Sequence, residues 1–174
     1  MKVCKQALRL PDEMTALPRW VNWRNEMRKG KPTKTPYNAQ KTNVHASSTN
    51  EKTWSTYEQA LSHMSEKTGI GFMLLPPFIG VDLDHCIEHG KWNVLAREVV
   101  AKFWQTYAEI SPSGTGIHLI LHGTYPLEKG LHTSLGEMYT RGRYFTVTGD
   151  MLPGALCHVA AVSADDLSWL VQRL

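Results

Sequence analysis

A short apolar run near the middle of the chain ends in two acidic residues one position apart, Asp82 and Asp84. Residues two apart on a β-strand project from the same face, so these carboxylates would lie side by side, about 7 Å apart along the backbone. Two unpaired carboxylates this close repel each other, which raises a pKa. A divalent cation would remove that penalty. The pattern therefore favours a strand that ends at a metal site for phosphate chemistry.

The composition limits the classes of protein that this chain can belong to. Its 174 residues fit one domain, and 42% hydrophobic with 20% charged residues is ordinary for a globular protein. No apolar run is long enough for a transmembrane helix, so no membrane partner is expected. Three widely spaced cysteines, Cys4, Cys86 and Cys157, argue against a disulfide framework. We therefore expect a cytoplasmic protein.

Basic residues are concentrated between positions 19 and 41, and aromatic residues alternate with them. Such a run is often only the solvated face of a hairpin, but the combination of aromatic and basic side chains also stacks bases and binds phosphates. The net charge of +3 permits a nucleic-acid partner without demanding one. We therefore predict a nucleic-acid-binding surface formed by Trp20, Trp23, Arg24, Arg28 and Lys29.

Hydrophobic periodicity predicts more strands than helices, with neighbours that resemble hairpins. A strand over 70–75 is expected to pair with the strand that ends at Asp84, and 137–139 and 143–148 are expected to be strands around a turn at 140–142. This pattern favours an α+β fold with a mixed or antiparallel sheet and flanking helices. Further strands are predicted at 20–24, 33–37, 107–110 and 117–122, and helices from 47–50 to Met64, over 92–105 and over 164–174.

Three features outside the acidic pair can contribute to the same chemistry. A turn of small residues over 111–116 precedes His118, and glycine and hydroxyl residues in such a turn can bind an anion. Glu137 would supply a third carboxylate for Mg²⁺, which prefers oxygen ligands. Lys31 and Lys34 could neutralise a triphosphate. Each has an ordinary alternative: a core histidine after a tight hairpin, an exposed glutamate, and surface lysines.

The order of these residues resembles the archaeo-eukaryotic primase superfamily, specifically the primase–polymerase domains of phages, plasmids and other mobile elements. The strand 81–84 matches the first motif of that family, the segment 113–118 matches the second, and Glu137 matches the third. Many relatives have Asp at the third motif, and either carboxylate can bind a metal ion. The resemblance extends from about Leu17 to Gly149. It implies a catalytic core with an RRM-like half and an N-terminal α/β half.

The resemblance also implies roles for individual residues. Asp82, Asp84 and Glu137 would hold Mg²⁺ or Mn²⁺, and His118 would contact the phosphates of the incoming nucleotide. No zinc is predicted, because Cys86 lies in the only local Cys/His cluster and has no second pair at zinc spacing. The nucleotide-binding residues would be Ser113, Gly114, Thr115, Gly116, His118, Lys31, Lys34, Arg143 and Tyr144, with Tyr144 placed to stack on the base or sugar.

The implied activity is template-directed nucleotidyl transfer by a DNA polymerase, with priming as a further possibility, in replication of a mobile element. The protein would then act in the cytoplasm of a bacterial cell, or in the host cytoplasm if a phage encodes it. The partners would be a DNA template and primer, dNTPs or NTPs, and a helicase region in the full-length protein. The catalytic domain is expected over 1–163, and a C-terminal helix over 164–174 is expected to lead to a missing helical or helicase region.

Two other functions remain open from the residues alone. A metal-dependent nuclease also uses carboxylates and histidine on a sheet, and a single-stranded nucleic-acid-binding module would have these carboxylates only incidentally. A replication initiator with two histidines one position apart is disfavoured, because His118 and His122 are four apart.

Overall fold

Two antiparallel sheets form the centre of the structure, a computed structural model that describes residues 8–127 and 130–174. The predicted role of Cys4 as an unpaired cysteine falls outside these residues. The elements in chain order are α1 (Asp12–Thr15), β1 (Trp20–Arg28), β2 (Lys31–Tyr37), a 3-10 turn (Glu51–Thr53), α2 (Tyr57–Ser62), β3 (Thr68–Met73), β4 (Phe78–Leu83), β5 (Ile87–Glu88), β6 (Lys91–Trp92), α3 (Val94–Lys102), β7 (Tyr107–Ile110), β8 (Ile117–His122), β9 (Leu131–His132), β10 (Glu137–Tyr139), β11 (Tyr144–Val147) and α4 (Ala164–Arg173).

The strand order separates the chain into two sheets that each combine distant segments. The first sheet has the order β11-β3-β1-β2, and the second has the order β7-β8-β4-β10-β9. All the strand ladders of both sheets are antiparallel. The predicted α+β class with an antiparallel sheet is therefore confirmed.

One predicted strand pairing is wrong. β3 does not pair with β4, because β3 lies between β1 and β11 in the first sheet whereas β4 lies between β8 and β10 in the second. β10 and β11 flank one turn, as predicted, and they belong to different sheets. Sequence proximity suggested hairpins, but each strand is better buried with a distant partner, since β4 is enclosed on both edges and five of its six residues are buried.

The first predicted helix begins later than expected. Thr56 caps α2 with a reciprocal pair of hydrogen bonds to Gln59, whereas Asn50 caps only the short 3-10 turn. Between them Trp54 is buried and extended, and Ser55 forms a bridge with Trp20 of β1. Packing of this segment against the first sheet therefore ends the 3-10 turn before α2 starts. α3 is likewise shorter than predicted, at Val94–Lys102.

The hydrophobic core lies on both faces of the second sheet. Phe72, Phe78 and Phe145 belong to a cluster between the two sheets, where aromatic rings meet at close range. Leu167 and Leu170 of α4 pack into a second cluster with residues of α3 and the second sheet. Within the described residues, no helix has the length and hydrophobicity needed to span a bilayer. The second sheet is thus held on one side by helices and on the other by the first sheet.

Candidate active site

A row of five polar side chains crosses the second sheet, one residue from each strand. The ladder registers align Glu109 of β7 with His118 of β8, His118 with Asp82 of β4, Asp82 with Glu137 of β10, and Glu137 with His132 of β9. Residues directly opposite in antiparallel strands share a face and have Cβ atoms roughly 4.5–5.5 Å apart. The register of the sheet therefore gathers three carboxylates and two imidazoles from five separate segments.

Asp84 follows the last residue of β4 and faces the same cavity as Asp82 and Glu137. This cavity has a volume of about 320 Å³. Burial raises the pKa of the Asp84 carboxyl, and the negative charges of Asp82 and Glu137 raise it further. The three predicted metal-binding carboxylates therefore interact electrostatically. The cavity is lined by Lys34, Asp82, Asp84, His85, Ser111, Pro112, Ser113, Thr115, His118, Glu137, Tyr139, Arg143, Tyr144, Phe145 and Thr146.

His118 is almost completely buried between two carboxylates. Its Nε2 atom is 3.5 Å from Asp82 Oδ1, and its Nδ1 atom is 3.2 Å from Glu109 Oε1. Burial alone would lower the pKa of His118, but the interactions with Asp82 and Glu109 outweigh burial and raise the pKa to about 9. The imidazole is therefore held as a cation at neutral pH, with Nε2 on the side of the cavity carboxylates.

Glu109 is a functional candidate that sequence reasoning missed. Its side chain is 1% exposed, and it accepts hydrogen bonds from the Tyr107 hydroxyl and from the backbone N–H groups of Thr148 and Gly149, in addition to its contact with His118. A buried carboxylate needs such partners, because an unpaired charge in the interior is costly. The available signal was a single acidic residue inside the otherwise apolar strand β7.

The turn over 111–116 presents hydroxyl groups to the cavity. Ser113 Oγ lies 2.9 Å from both Ser111 Oγ and Thr115 Oγ1. The N–H groups of Gly114 and Gly116 instead donate to the carbonyl oxygen and the hydroxyl of Ser111, and within the described chain neither glycine lines the cavity. Side-chain hydroxyls rather than glycine N–H groups therefore face the site.

Gly116 is required by close packing in this turn. A Cβ atom at this position would lie 2.9 Å from both the Leu83 carbonyl oxygen and Ser111 Oγ. Gly116 therefore permits the turn to lie against the end of β4, next to Asp84.

Three of the predicted nucleotide-binding residues reach the cavity from the first sheet and from the loop after β10. Lys34 and Tyr144 both line it, and the Tyr144 hydroxyl donates a hydrogen bond to the Lys34 carbonyl oxygen. Arg143 lines it as well, whereas Lys31 is exposed at the start of β2 and is outside the lining drawn from the described residues. Burial raises the pKa of Tyr144, in agreement with a ring held against the protein.

Trp20 has to be removed from the predicted nucleic-acid surface. Its side chain is fully buried, and its indole N–H donates to the Met14 carbonyl oxygen, 3.1 Å away. The ring packs against Tyr57 and Phe72, so neither face is open to a base. Alternation of aromatic and basic residues along the sequence did not distinguish the inward face of β1 from the outward face.

The other residues of that predicted surface lie along the β1–β2 hairpin. Trp23 is half-buried, its indole N–H donates to the Ile70 carbonyl oxygen, and the Lys34 ammonium lies 5.7 Å from its ring centroid. Arg24 stacks over the Tyr37 ring at 3.9 Å. Arg28 and Lys29 are exposed at the hairpin tip. The hairpin therefore carries positive charge up to the edge of the cavity.

The donor set of the cavity fits a divalent cation, although its side chains are turned to other partners. Among the described residues, no three His, Cys, Asp or Glu side chains already stand in metal-binding geometry. Glu137 forms an ion pair with His132, and Asp82 contacts His118. Three carboxylates on one face supply the oxygen ligands that Mg²⁺ and Mn²⁺ prefer.

Cys86, in the one local Cys/His cluster of the sequence, packs as a core residue. Its thiol is 2% exposed and donates to the Leu83 carbonyl oxygen. Burial raises its pKa to about 11, so the thiol stays protonated at neutral pH. The structural role expected for Cys86 agrees with this position.

The sequence is similar to that of a phage protein of known name. No protein-family model matches the chain. Over 149 residues the chain is 34% identical to a protein named DNA Primase-polymerase from Nitratiruptor phage NrS-1. The match includes 78% of this chain and 20% of that protein, so the chain spans about a fifth of the length of the relative.

Proposed function

We propose that this chain is a primase–polymerase-type domain, as its similarity to the phage protein supports, and that it catalyses template-directed nucleotidyl transfer. The observation that carries the proposal is the row Glu109–His118–Asp82–Glu137, with Asp84 and the hydroxyl-rich turn beside it. Carboxylates for metal ions and donors for phosphates thus line one cavity.

Asp82, Asp84 and Glu137 would hold Mg²⁺ or Mn²⁺ in this cavity. When bound, such ions lower the pKa of a primer 3′-hydroxyl and neutralise the triphosphate and the leaving pyrophosphate. Burial and, after it, the negative charges of Asp82 and Glu137 raise the pKa of Asp84. This supports the proposal, because a cation between the carboxylates would remove their repulsion.

His118 would donate a charge-assisted hydrogen bond to a phosphate of the incoming nucleotide. We assign Glu109 as the positioning residue for this histidine. The Glu109 carboxylate accepts a hydrogen bond from Nδ1–H of His118, which leaves Nε2 on the cavity side. The backbone N–H groups of Thr148 and Gly149 donate to the same carboxylate and hold it in place. This arrangement sets the imidazole before the substrate arrives, so little reorganisation is needed.

Five further side chains would complete the nucleotide site. The Ser113 and Thr115 hydroxyls, the Lys34 ammonium and the Arg143 guanidinium would bind phosphate oxygens. Tyr144 would stack on the base or sugar and restrict the space around the 2′ position. Gly114 and Gly116 would act by shaping the turn, and Lys31 by attracting the substrate from outside the cavity.

The β1–β2 hairpin would bind the DNA primer and template through Trp23, Arg24, Arg28 and Lys29. The positive side chains would bind the phosphates of a single DNA strand, and the Trp23 ring would stack on one of its bases. We propose dNTPs as substrates, replication of a mobile element as the setting, and the cytoplasm as the location. A catalytic domain over 1–163 and a helicase region in the full-length protein are part of the same proposal.

A primer-extension assay tests this function directly. The chain is mixed with a labelled primer–template, dNTPs and Mg²⁺ or Mn²⁺, and products are sized on a gel. We expect template-directed extension by the wild type, a loss of at least 100-fold for Asp82→Ala, and wild-type activity for Asp165→Ala, an exposed control at the start of α4.

The same assay separates the other functions. Primer shortening that depends on Asp82 would assign a metal-dependent nuclease. DNA binding without any extension or shortening, unchanged in Asp82→Ala, would assign a non-catalytic binding module.

A further inference from the structure

A second cavity adjoins the carboxylate cavity and has no role in the function described above. Its volume is about 530 Å³, and it shares Tyr139 and Arg143 with the first cavity. We propose that it binds one unpaired nucleotide of the template strand, immediately beyond the base being copied. This inference rests on the proposed nucleotidyl transfer and adds to it the path of the template.

The wall between the two cavities is a stacked pair of side chains. The Arg143 guanidinium carbon lies 4.8 Å from the centroid of the Tyr139 ring, and Arg143 Nη2 donates to the Tyr139 hydroxyl at 3.2 Å. Tyr139 is 4% exposed and lies two positions after Glu137 on the same face of β10. A strand whose templating base lies above the carboxylates therefore has only this pair to cross before it reaches the second cavity.

The charge of the second cavity suits a nucleic-acid backbone. Arg141 and Arg143 are exposed at its rim, and Glu51 is the one acidic residue in its lining. Arg141 has no ion-pair partner within residues 8–127 and 130–174. An exposed arginine without a partner beside a second arginine attracts a phosphate group.

The inner wall suits the face of a base. Trp54 and Leu75 supply apolar surface, and Ser48 and Thr49 supply hydroxyls that can bond to base edges. The volume lies within the roughly 300–1,000 Å³ of pockets that enclose small ligands. A mixed wall of this kind accepts one base together with its phosphate.

The template strand is a better occupant than the primer for a physical reason. Bases of the primer are paired with the template and stacked on each other, so their faces and edges are already in contact with other bases. The first template base beyond the copied one has no partner, and burial of its face against apolar side chains is favourable. The primer would instead leave the active site as part of a duplex, which this cavity cannot enclose.

A fluorescent base analogue tests the assignment. 2-Aminopurine is placed at the second unpaired template position of a primer–template, one beyond the base to be copied, and its fluorescence is followed as the chain is added without dNTPs. We expect quenching by stacking with the wild type, an apparent Kd at least fivefold higher for Arg141→Ala, and partial recovery for Arg141→Lys. Arg97→Ala is the matched control, because Arg97 is exposed on α3 and lines a different cavity.

Primer extension on the same DNA completes the test. Shortening the template overhang to the copied base alone should raise the KM for DNA severalfold in the wild type and have no effect in Arg141→Ala. If the wild type extends primers but Arg141→Ala gives wild-type quenching and the same response to the overhang, the template site is wrong and the proposed function stands. If 2-aminopurine in the primer is quenched instead, the cavity binds the primer and the assignment is wrong.

Absence of extension by the wild type would contradict the proposed function. Loss of quenching in Arg141→Ala would then support the second cavity as a DNA-binding site alone.

Discussion

Glu109 lies directly across the β7–β8 ladder from His118, and its Oε1 atom is 3.2 Å from His118 Nδ1. Behind this contact the glutamate is fixed by backbone N–H donors of residues that follow β11. The histidine predicted to meet the nucleotide is therefore oriented by a carboxylate with 1% exposure.

Replacement of Glu109 by glutamine is expected to lower kcat more than it alters the KM for DNA. The amide presents N–H groups to neighbours that are themselves donors, so the imidazole loses its fixed orientation, and changes behind such groups typically cost 10–100-fold. Steady-state primer extension measures kcat and the KM for DNA separately. Urea unfolding measures the accompanying loss of stability, which we expect to be about 1–3 kcal/mol. Glu109→Asp should recover part of kcat. If Glu109→Gln loses stability as expected but keeps the wild-type kcat, Glu109 has only a structural role.

Replacement of Asp84 by asparagine is expected to stabilise the metal-free protein. Burial and the charges of Asp82 and Glu137 all disfavour the ionised carboxylate, so a neutral side chain should raise the melting temperature by a few degrees. Added Mn²⁺ should raise the melting temperature of the wild type but not of the variant, because ligand binding stabilises only a protein that binds it. An equal Mn²⁺ response in both proteins would remove Asp84 from the proposed metal site.

Substitution of the two tryptophans of β1 is expected to have different effects on stability and on DNA binding. Trp20→Leu removes a fully buried indole and should cost about 3 kcal/mol in urea unfolding, with little change in affinity for single-stranded DNA. Trp23→Leu should cost less stability and weaken DNA binding at least fivefold, measured by fluorescence anisotropy, because stacking on one base contributes about 1–3 kcal/mol. Wild-type affinity of a folded Trp23→Leu protein would contradict the hairpin surface.

Tyr144 is expected to influence discrimination between dNTPs and rNTPs. Its ring lines the cavity and is held by a hydrogen bond from its hydroxyl to the Lys34 carbonyl oxygen. Tyr144→Ala should reduce the ratio of kcat/KM for dNTP over rNTP several-fold, because space opens beside the sugar. Tyr144→Phe keeps the ring and serves as the control. An unchanged ratio in Tyr144→Ala would exclude this role.

The start of α4 should show a pH-dependent contribution to stability. Hydrogen bonds from Lys102 and from Ser163 lower the pKa of Asp166 from 3.8 to about 2. A carboxyl whose pKa is lower in the folded state stabilises the fold above its unfolded pKa, and this contribution disappears as the pH falls towards the folded pKa. Asp166→Asn should therefore cost about 1 kcal/mol at pH 7, after allowance for solvent screening, and almost nothing near pH 2. A cost that is equal at both pH values would contradict this account.

The residues that meet in the cavity were easier to predict from the sequence than the pairing of the strands that carry them. Asp82, Asp84, His118 and Glu137 could be proposed because strand periodicity and residue order are local properties. Strand pairing is not local, so β3 and β4 were assigned to one hairpin although they belong to different sheets. The burial of Trp20 was missed for a related reason. Which face of β1 is buried depends on the residues that pack against it, such as Tyr57 and Phe72, and these are distant in the sequence.

Glu109 shows what sequence reasoning needs in addition to motifs. A lone glutamate in a short strand has no spacing that links it to His118, and the link arises only when β7 and β8 align. The backbone donors of Thr148 and Gly149 are equally invisible, because every residue type has an N–H group.

The five-residue row across the second sheet makes activity a sensitive indicator of correct strand alignment. Each member comes from a different strand, and a shift of one residue in any ladder would turn that strand's functional side chain to the opposite face. Insertions in the loops between these strands preserve the row, whereas a single insertion inside β4 or β8 would separate Asp82 from His118. Tolerance of length variation should therefore change abruptly at strand boundaries.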